Sequence, residues 1–580
     1  MLFWFIYCVI ITQTIGIVAS ESCPAVCSCE ESFVICENVD LIPMGLPTTT
    51  AFLSLPQNRI KTISQEDFQG LAESLQQLDL SGGELEKIAA GTFSNMKNLV
   101  TLDLSKTNLK SVDNGAFSGL VSLQNLDLSS TKLKNLLESP FQDLNSLKML
   151  NLKENKELTQ ISASAFNGLE SLEELFLGGS DRLRYIPKKA MSTLHSLNHL
   201  VLEDLSLNSL TPASFPKLDT LERLCIEKWK NLQRIAADTF KPLTNLTELM
   251  IKSTSLQEIP SSALAQLRKL RKLTMDDNTG IKILHRNDFF GLANLRELSL
   301  VNIGLHNLQE SPFHSNDHLN TLDLSQNELS AFPAHTVFSL FELETLNISH
   351  NHLTMLGPIT FENNQQLHLV DVSNNSMICD CDLSWLKLWQ LVNMKEHQLI
   401  GECASPHTHA GIQISAIEQK YFVCKPPRFK EHNVTVSVSV GNSLTLDCKP
   451  GQGSPDPTIT WTDGHGTMLT KYDEIGKVDP PPHIWQLQNG SLFFNSTLDS
   501  DYGTFRCTAE NKEGKSLKTF ALTYPGLSDI FGDATPSGGS VATGILVTIG
   551  LLLPVGGVLW YIRKRREYKN LNDSERWNTL

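Results

Sequence analysis

One pattern, LxxLxLxxNxL, recurs through residues 50–377 at a period of 24 or 25 residues. Two of its copies read LVTLDLSKTNL, from Leu99 to Leu109, and LNTLDLSQNEL, from Leu319 to Leu329. Fourteen such units follow one another. A fixed period of this length predicts a solenoid, in which each unit contacts only its neighbours and buries its apolar residues against them.

Each unit is expected to place its LxLxx segment in a short strand, with the leucines inside the solenoid and the intervening residues outside. The Asn position suits a buried amide that satisfies turn backbone groups, as at Asn58, Asn155, Asn278, Asn327, Asn351 and Asn375. Thr107, Thr131, Ser180 and Thr254 are expected to do so partly. Leu205, Trp229 and Ile303 are expected to fail, which predicts a locally irregular middle of the array.

Most units also carry a phenylalanine before a short motif of the GL type, and these rings are expected to stack inside the convex side as an aromatic spine. The predicted members are Phe68, Phe93, Phe117, Phe141, Phe166, Phe215, Phe240, Phe289, Phe313, Phe338 and Phe361.

Cysteine clusters flank the array and resemble the caps of extracellular leucine-rich-repeat proteins. The first reads CPAVCSC and then CENVDLIPMGLP, within residues 21–49, and the second begins at NNSMICDCDLSWLKLWQLV, within residues 378–425. The fold class that this resemblance implies is an α/β leucine-rich-repeat horseshoe with a parallel concave sheet. It also implies the disulfides Cys23–Cys29, Cys27–Cys36, Cys379–Cys403 and Cys381–Cys424. A zinc site is the alternative for the first cluster, but disulfides are favoured in a secreted chain.

Residues 426–525 alternate polar and apolar residues, as in VTVSVSV, and resemble an all-β immunoglobulin domain of the I-set type. Cys448, Trp461 and Cys507 occur in the family's order, with the run DYGTFRCTAENKEG around the second cysteine. The resemblance implies a Cys448–Cys507 disulfide. Phe505 replaces the usual tyrosine, so the corner hydrogen bond of that tyrosine is expected to be lost.

The two ends of the chain predict a membrane protein. Residues 1–20 are predicted to be a signal peptide, with an uncleaved anchor as the alternative, and residues 526–540 a stalk. Residues 541–562 are uncharged and long enough for a transmembrane helix. Four basic residues open the tail, residues 563–580, which predicts a type I plasma-membrane protein with its N-terminus outside.

Composition and motifs exclude several functions. The formal net charge of −15 argues against a nucleic-acid partner, which would need a positive surface. No GxSxG, HExxH, Walker-type or dinucleotide-binding pattern occurs, so we expect no enzyme, no cofactor, no bound metal and no small-molecule substrate. The eighteen-residue tail is too short for a catalytic domain, so any signalling would require recruited partners.

The candidate ligand-binding site lies between the consensus leucines of the strands. Equivalent positions should form ladders across the concave sheet, and the middle ladder is polar except for four consecutive members, Phe176, Val201, Cys225 and Met250. An exposed apolar stripe with a charged rim is typical of protein-binding sites. The rim is predicted to contain Glu174, His199, Glu203, Arg223, Glu227, Glu248 and Lys252.

Three further predictions concern single residues. Cys225 is left over after ten cysteines pair, so it is either a free thiol or the site of an intermolecular disulfide. Glycosylation sequons begin at Asn245, Asn347, Asn374, Asn433, Asn489 and Asn495. Tyr568 and Leu571 bound a motif that resembles a sorting signal or a phosphotyrosine adaptor site, and an inert tail is the alternative.

Cap, repeats, cap, immunoglobulin domain, span and short tail resemble the Lingo-like and Lrig-like group of cell-surface proteins. The resemblance implies a receptor, co-receptor or adhesion protein that binds extracellular or cell-surface protein ligands, with a cytoplasmic sorting adaptor as a further partner. The alternative function is a shed or matrix-organising structural glycoprotein.

Overall fold

The computed structural model describes residues 23–393, 398–469 and 483–525. The predicted signal peptide, stalk, transmembrane segment and tail lie outside these residues. The chain divides into two compact units, one formed mainly by the repeats and their caps and the other by most of the immunoglobulin sandwich. Each helix within the described ranges is too short or too polar to cross a lipid bilayer.

Fourteen parallel strands, one from each repeat, form the concave sheet of the first unit, because each repeat places its LxL segment one period after the last. Register joins equivalent positions, for example Leu322 with Leu346 and Asp323 with Asn347. The strands are Phe52–Ser54, Gln77–Asp79, Thr101–Asp103, Asn125–Asp127, Met149–Leu152, Glu174–Ser180, His199–Leu205, Arg223–Glu227, Glu248–Lys252, Lys272–Thr274, Glu297–Ser299, Thr321–Asp323, Thr345–Asn347 and Leu369–Asp371.

The caps extend this sheet at both ends. Cys27–Glu30 pairs antiparallel with Phe33–Cys36, which pairs parallel with the first repeat strand. Gln398–Ile400 pairs with the last repeat strand. The disulfides are Cys23–Cys29, Cys27–Cys36, Cys379–Cys403 and Cys381–Cys424, the pairs that the cap resemblance implies.

Buried asparagines link successive repeats as the sequence predicts. Asn327 donates its Nδ2 protons to the carbonyl oxygens of Leu300, at 2.8 Å, and Leu324, at 2.9 Å. Its Oδ1 accepts from the backbone N–H groups of Ile303 and Leu305, both at 3.0 Å. One side chain therefore satisfies four backbone groups that the strands cannot reach.

Trp229 corrects the prediction that this position cannot contribute. Its indole Nε1 donates to the carbonyl oxygen of Leu202 at 3.0 Å, and the side chain is fully buried. Leu202 lies 27 residues before Trp229, the same separation as Leu300 and Asn327. The indole N–H thus replaces one amide proton, although indole offers no acceptor for the backbone N–H groups.

The convex side holds short helices, short strands and the aromatic spine. Phe117 packs on Phe93 and on Phe141, with ring centroids 6.3 and 5.9 Å apart. Phe338 was predicted for this spine, but its side chain is 39% exposed and Val337 is buried in its place. The preceding spine member, Phe313, lies 24 residues before Val337, so the residue at the correct period is buried although it is smaller.

The remaining elements of the first unit are short. The paired outer strands are Thr62–Ile63 with Lys87–Ile88, Asn135–Leu136 with Gln160–Ile161, Ser209–Leu210 with Arg234–Ile235, and Ile283–Leu284 with Asn307–Leu308. The α-helices are Lys188–Met191, Ser261–Leu264 and Ser384–Asn393. The 3-10 helices are Gln65–Phe68, Cys381–Leu383, Ile414–Ala416 and Gln419–Tyr421.

The immunoglobulin strands form sheets around the Cys448–Cys507 disulfide and the buried Trp461. One sheet has the order Asn433–Ser437, Gly514–Thr523, Gly503–Asn511 and Thr458–Thr462, and another the order Leu444–Leu446, Leu492–Phe494 and Ile484–Gln486. Lys425–Arg428 pairs with Gln452–Ser454, and Asp499–Asp501 is a 3-10 turn.

Phe505 has no hydroxyl to form the usual corner hydrogen bond, as the sequence predicts, but nearby Tyr502 forms a different one. Its hydroxyl donates to the carbonyl oxygen of Val438 at 2.7 Å. Phe505, which replaces the usual tyrosine, packs edge-on against Phe494 in the core. A different tyrosine, three residues earlier, therefore supplies a hydroxyl contact to the backbone.

Candidate ligand-binding face

The four predicted apolar residues of the middle ladder are neighbours in the sheet. Strand register places Phe176 beside Val201, Val201 beside Cys225, and Cys225 beside Met250. Their strands are five to seven residues long, whereas most other repeat strands have three. We call these four residues the central patch.

Exposure within the central patch is uneven. Phe176, Cys225 and Met250 are half-buried, but Val201 is only 6% exposed. The prediction of four exposed apolar residues is therefore wrong at Val201. Valine is the shortest hydrocarbon side chain of the set and stands beside a phenylalanine ring, so longer neighbours shield it. The accessible anchors are Phe176 at one end and the two sulfur side chains at the other.

Cys225 and Met250 form a contact between sulfur atoms. Cys225 Sγ lies 3.4 Å from Met250 Sδ, and Cys225 forms no disulfide with any cysteine that the structure describes. Burial, together with the nearby carboxylate of Glu227, raises the pKa of the Cys225 thiol to about 11. The thiol is therefore neutral at physiological pH and acts as an apolar member of the patch, because the thiolate is the reactive form.

Glu203 was predicted on the rim, but the structure buries it. The residue is 7% exposed, and its carboxylate receives Lys153 Nζ at 2.6 Å and Lys228 Nζ at 2.5 Å. Burial alone would raise the pKa of Glu203, but the hydrogen bonds and charges of the two lysines outweigh it and hold the pKa below its ordinary value. The carboxylate is therefore ionised and fully paired.

Lys153 also contacts the central patch directly. Its Nζ lies 5.7 Å from the centroid of the Phe176 ring, within the range of a cation–π interaction. Lys153 occupies the same position in its repeat as Glu203, Glu227 and Lys252, but it was not predicted for the rim because its strand precedes that of Phe176. Its reach to Glu203, two strands away, is the geometric signal that sequence spacing alone could not provide.

The opposite edge of the patch contains His199, Glu174 and Arg223. The imidazole of His199 packs edge-on against Phe176, with ring centroids 5.5 Å apart. Glu174 Oε1 lies 3.6 Å from Arg223 Nη2 and 4.0 Å from His199 Nδ1. Burial lowers the pKa of His199, and the positive charge of Arg223 lowers it further, so His199 is neutral at physiological pH.

The other predicted rim residues differ in their surroundings. Glu248 is exposed and Glu227 is half-buried. Lys252 Nζ lies 3.6 Å from Asp276 Oδ2 and 3.9 Å from Asp277 Oδ2. The structure therefore brings all the predicted rim residues to the edges of the central patch, with Glu203 beneath its lysines.

On both sides of the patch, the carboxylates of the middle ladder accept hydrogen bonds from backbone N–H groups two residues later in the chain. Asp103 Oδ1 accepts from the N–H of Ser105 at 2.8 Å, and Asp371 Oδ1 accepts from Ser373 at 2.9 Å. Burial raises the pKa of Asp103 despite that hydrogen bond, and Asp127 and Asp79 add to the increase. These carboxylates line the face without forming a metal-ligating group among the described residues.

The predicted modification sites fall on different surfaces. Asn347 belongs to the middle ladder, Asn374 is exposed in the turn after the last repeat strand, and Asn245 is half-buried before the strand Glu248–Lys252. Asn433, Asn489 and Asn495 are exposed in the immunoglobulin domain. Tyr568 and Leu571 lie outside the described residues.

Comparisons with known proteins agree with this architecture. The leucine rich repeat family matches residues 73–133, 122–183, 230–279, 245–302 and 293–353, and the immunoglobulin domain family matches residues 426–511. The rat leucine-rich repeat and fibronectin type-III domain-containing protein 4 is 28% identical over 246 residues, which cover 36% of this chain and 36% of that protein.

Two further similarities are more distant or shorter. The human leucine-rich repeats and immunoglobulin-like domains protein 2 is 28% identical over 162 residues, covering 26% of this chain and 15% of that protein. The structure of the mouse RP105/MD-1 complex contains a chain that is 21% identical, with a TM-score of 0.49, covering 64% of this chain and 63% of that chain. The matched part of this chain spans only 36% of the length of the rat protein and 15% of the length of the human protein. Repeats of the first family followed by a domain of the second make this chain a leucine-rich-repeat and immunoglobulin-domain protein.

Proposed function

We propose that this chain is a single-pass plasma-membrane receptor, co-receptor or adhesion protein that binds an extracellular protein ligand. The ligand would contact the concave face of the repeats, the immunoglobulin domain, or both. Signalling would depend on partners recruited to the short tail. No catalytic role is proposed for any residue.

The observation that supports the proposal is the central patch on a rigid parallel sheet. Phe176 and Met250 leave part of their apolar surface open, while Glu203 beside them is already paired with two lysines. Covering this surface would remove apolar area from water without stripping the partners from a buried charge. Aromatic and flexible apolar anchors with a charged rim are the arrangement in which binding hot spots occur.

The alternative function, a shed or matrix-organising glycoprotein, would use the same folded domains without the membrane span. Apolar anchors on the concave face are compatible with either location. The two proposals differ in where the mature chain resides and in whether binding occurs at the cell surface.

A binding screen with the full-length chain on cells tests the proposed function. Cells that express the chain are incubated with a panel of soluble extracellular and cell-surface proteins, and the culture medium is assayed for released ectodomain. We expect saturable binding of at least one protein by surface-retained chain. Absence of binding to the whole panel, with most of the chain recovered from the medium, would favour the matrix alternative.

A further inference from the structure

Asn347 is the one of the six predicted glycan acceptors that belongs to the middle ladder of the concave sheet. It closes the strand Thr345–Asn347, and register places it between Asp323 and Asp371. The sequon continues with Ile348, which is buried, and Ser349. Asn347 lies in the fourth strand after that of Met250, which corresponds to roughly 19 Å at the usual spacing of strands.

The surroundings of Asn347 differ from those of the central patch. The neighbouring concave side chains are mostly short and polar, namely Thr321, Asp323, Thr345, Asp371 and Ser373 with the buried Ser325 and Ser349, and half-buried Leu369 is the apolar exception. Their hydroxyl and carboxylate groups form a shallow floor that offers many hydrogen-bonding groups and little apolar surface. Such a floor suits sugar hydroxyl groups, whereas the aromatic and sulfur side chains of the patch suit a protein.

The Asn347 amide is held in a fixed orientation on this floor. Its Nδ2 donates to Asp323 Oδ2 at 3.1 Å. Its Oδ1 accepts from the N–H of Ser349 at 3.1 Å and from its hydroxyl at 2.7 Å. A glycosylated asparagine keeps one N–H, so the donation to Asp323 is compatible with a sugar on the same nitrogen.

We propose that Asn347 carries an N-linked glycan that covers the C-terminal strands of the concave face and confines the protein ligand to the central patch and the strands before it. The inference rests on the proposed function, because it requires passage through the secretory pathway. A glycan is bulky and strongly solvated, so it excludes a protein from the surface it occupies. The glycan therefore sets one boundary of the ligand's footprint.

The modification is an ordinary transfer from a lipid-linked oligosaccharide. A bond forms between the anomeric carbon of the first sugar and Nδ2 of Asn347, while the bond from that carbon to the lipid pyrophosphate breaks. The pyrophosphate leaves with the bonding electron pair, and the amide nitrogen loses one proton.

The test measures shielding without any ligand. The full-length chain is expressed on cells with Cys225→Ser as background, and a cysteine is introduced at Asp371, one strand from Asn347, or at Asp103 as the matched control. Both aspartates accept a hydrogen bond from the serine two residues later, so the two substitutions remove the same local contact. Each variant is labelled with a small maleimide and with a polymer-linked maleimide, and glycopeptides are identified by mass spectrometry.

We expect the Asp371→Cys variant to react with the small reagent and to lose labelling by the polymer reagent. Adding Asn347→Gln or Ser349→Ala, which destroy the sequon in different ways, should restore polymer labelling, whereas the Asp103→Cys variant should label equally in every background. An unmodified Asn347 beside glycosylated sequons elsewhere would overturn the inference while leaving the proposed function intact. Equal polymer labelling with and without the sequon would overturn it as well. Absence of glycan at all six sequons, together with no labelling of any variant on intact cells, would contradict surface expression and thus the proposed function itself.

Discussion

Lys153 Nζ lies 2.6 Å from Glu203 Oε2, although the strand Glu174–Ser180 lies between the strands that carry these two residues. The residue between them in that strand is Gly178, which has no side chain to block the path. Lys153 passes over this gap and also lies above the Phe176 ring. A glycine, a lysine and a buried carboxylate thus act together to hold one end of the central patch.

Substitution of Gly178 by alanine should destabilise the solenoid strongly. Gly178 has a φ of +147°, and an added Cβ would lie 1.8 Å from the carbonyl oxygen of Glu203. Strain and overpacking together should cost about 2 to 5 kcal/mol in the free energy of unfolding, measured by urea denaturation. Gly91→Ala is the matched control, because Gly91 has a φ of +77° and an added Cβ would meet no atom within 4 Å. Equal costs for the two substitutions would show that crowding at Gly178 is unimportant.

Glu203→Gln should lower stability by about 2 kcal/mol at neutral pH, because a buried carboxylate loses two charge-assisted hydrogen bonds. Since the folded-state pKa of Glu203 lies below its ordinary value of 4.5, its contribution is fully present above that value and is lost as the pH falls through the folded-state pKa. The stability difference between wild type and variant should therefore be constant from pH 8 to about 5.5 and shrink in stronger acid. A difference that stays constant into acid would contradict the paired carboxylate.

The matched control for that substitution is Glu227→Gln. Glu227 occupies the same ladder position one strand later, is half-buried, and has no ion-pair partner within the described ranges. Its substitution should change stability by less than about 0.5 kcal/mol.

Trp229→Phe should destabilise the repeats although it keeps an aromatic side chain. The substitution removes the indole N–H that donates to Leu202 and leaves a small void, for a combined cost of about 1 to 3 kcal/mol. Trp461→Phe serves as the control, since it removes the equivalent donation to Gly490 in the immunoglobulin domain. Hydrogen exchange should show the first effect only in the central repeats and the second only in the immunoglobulin domain. Unchanged exchange around Leu202 would contradict the assigned role.

Cys225 should alkylate slowly at neutral pH and leave the chain monomeric on a non-reducing gel. With a pKa of about 11, only a minute fraction of the thiol is ionised at pH 7, and the rate should rise about tenfold per pH unit up to that pKa. The measurement is the rate of iodoacetamide incorporation at Cys225 between pH 7 and 10. A fast reaction at pH 7, or a dimer that disappears on reduction, would contradict a neutral, inert thiol.

Most of the fold could be predicted from the period of the repeats. Leucines such as Leu322 and Leu346 recur at positions that only a stacked parallel sheet can bury together. Asparagines such as Asn327 mark the turns whose backbone groups link one repeat to the preceding one. The family resemblance of the caps implied their disulfide pairs. These features could be predicted because each depends on contacts between residues at a fixed separation.

The exceptions depend on geometry that the period does not encode. Trp229 donates a hydrogen bond like an asparagine only because its indole N–H reaches the same carbonyl, and Tyr502 supplies a hydroxyl from an unexpected position. Val201 is shielded by a larger neighbour, and Glu203 is buried by a lysine two strands away. The length and direction of the side chains determine whether these residues are buried and which groups they contact. The position of a residue in the repeat does not predict either property.

Affinity measurements on patch variants test the central claim most directly. A protein captured by the full-length chain is titrated against cells that express wild type, Phe176→Asp or Met250→Asp, with Phe341→Asp and Met355→Asp as controls at exposed positions outside the ladder. If the central patch is the hot spot, each patch variant should lose at least about 2 kcal/mol of binding free energy, or roughly 30-fold in Kd, while the controls bind as wild type does. Wild-type affinity in both patch variants, at equal surface expression, would contradict binding through the central patch.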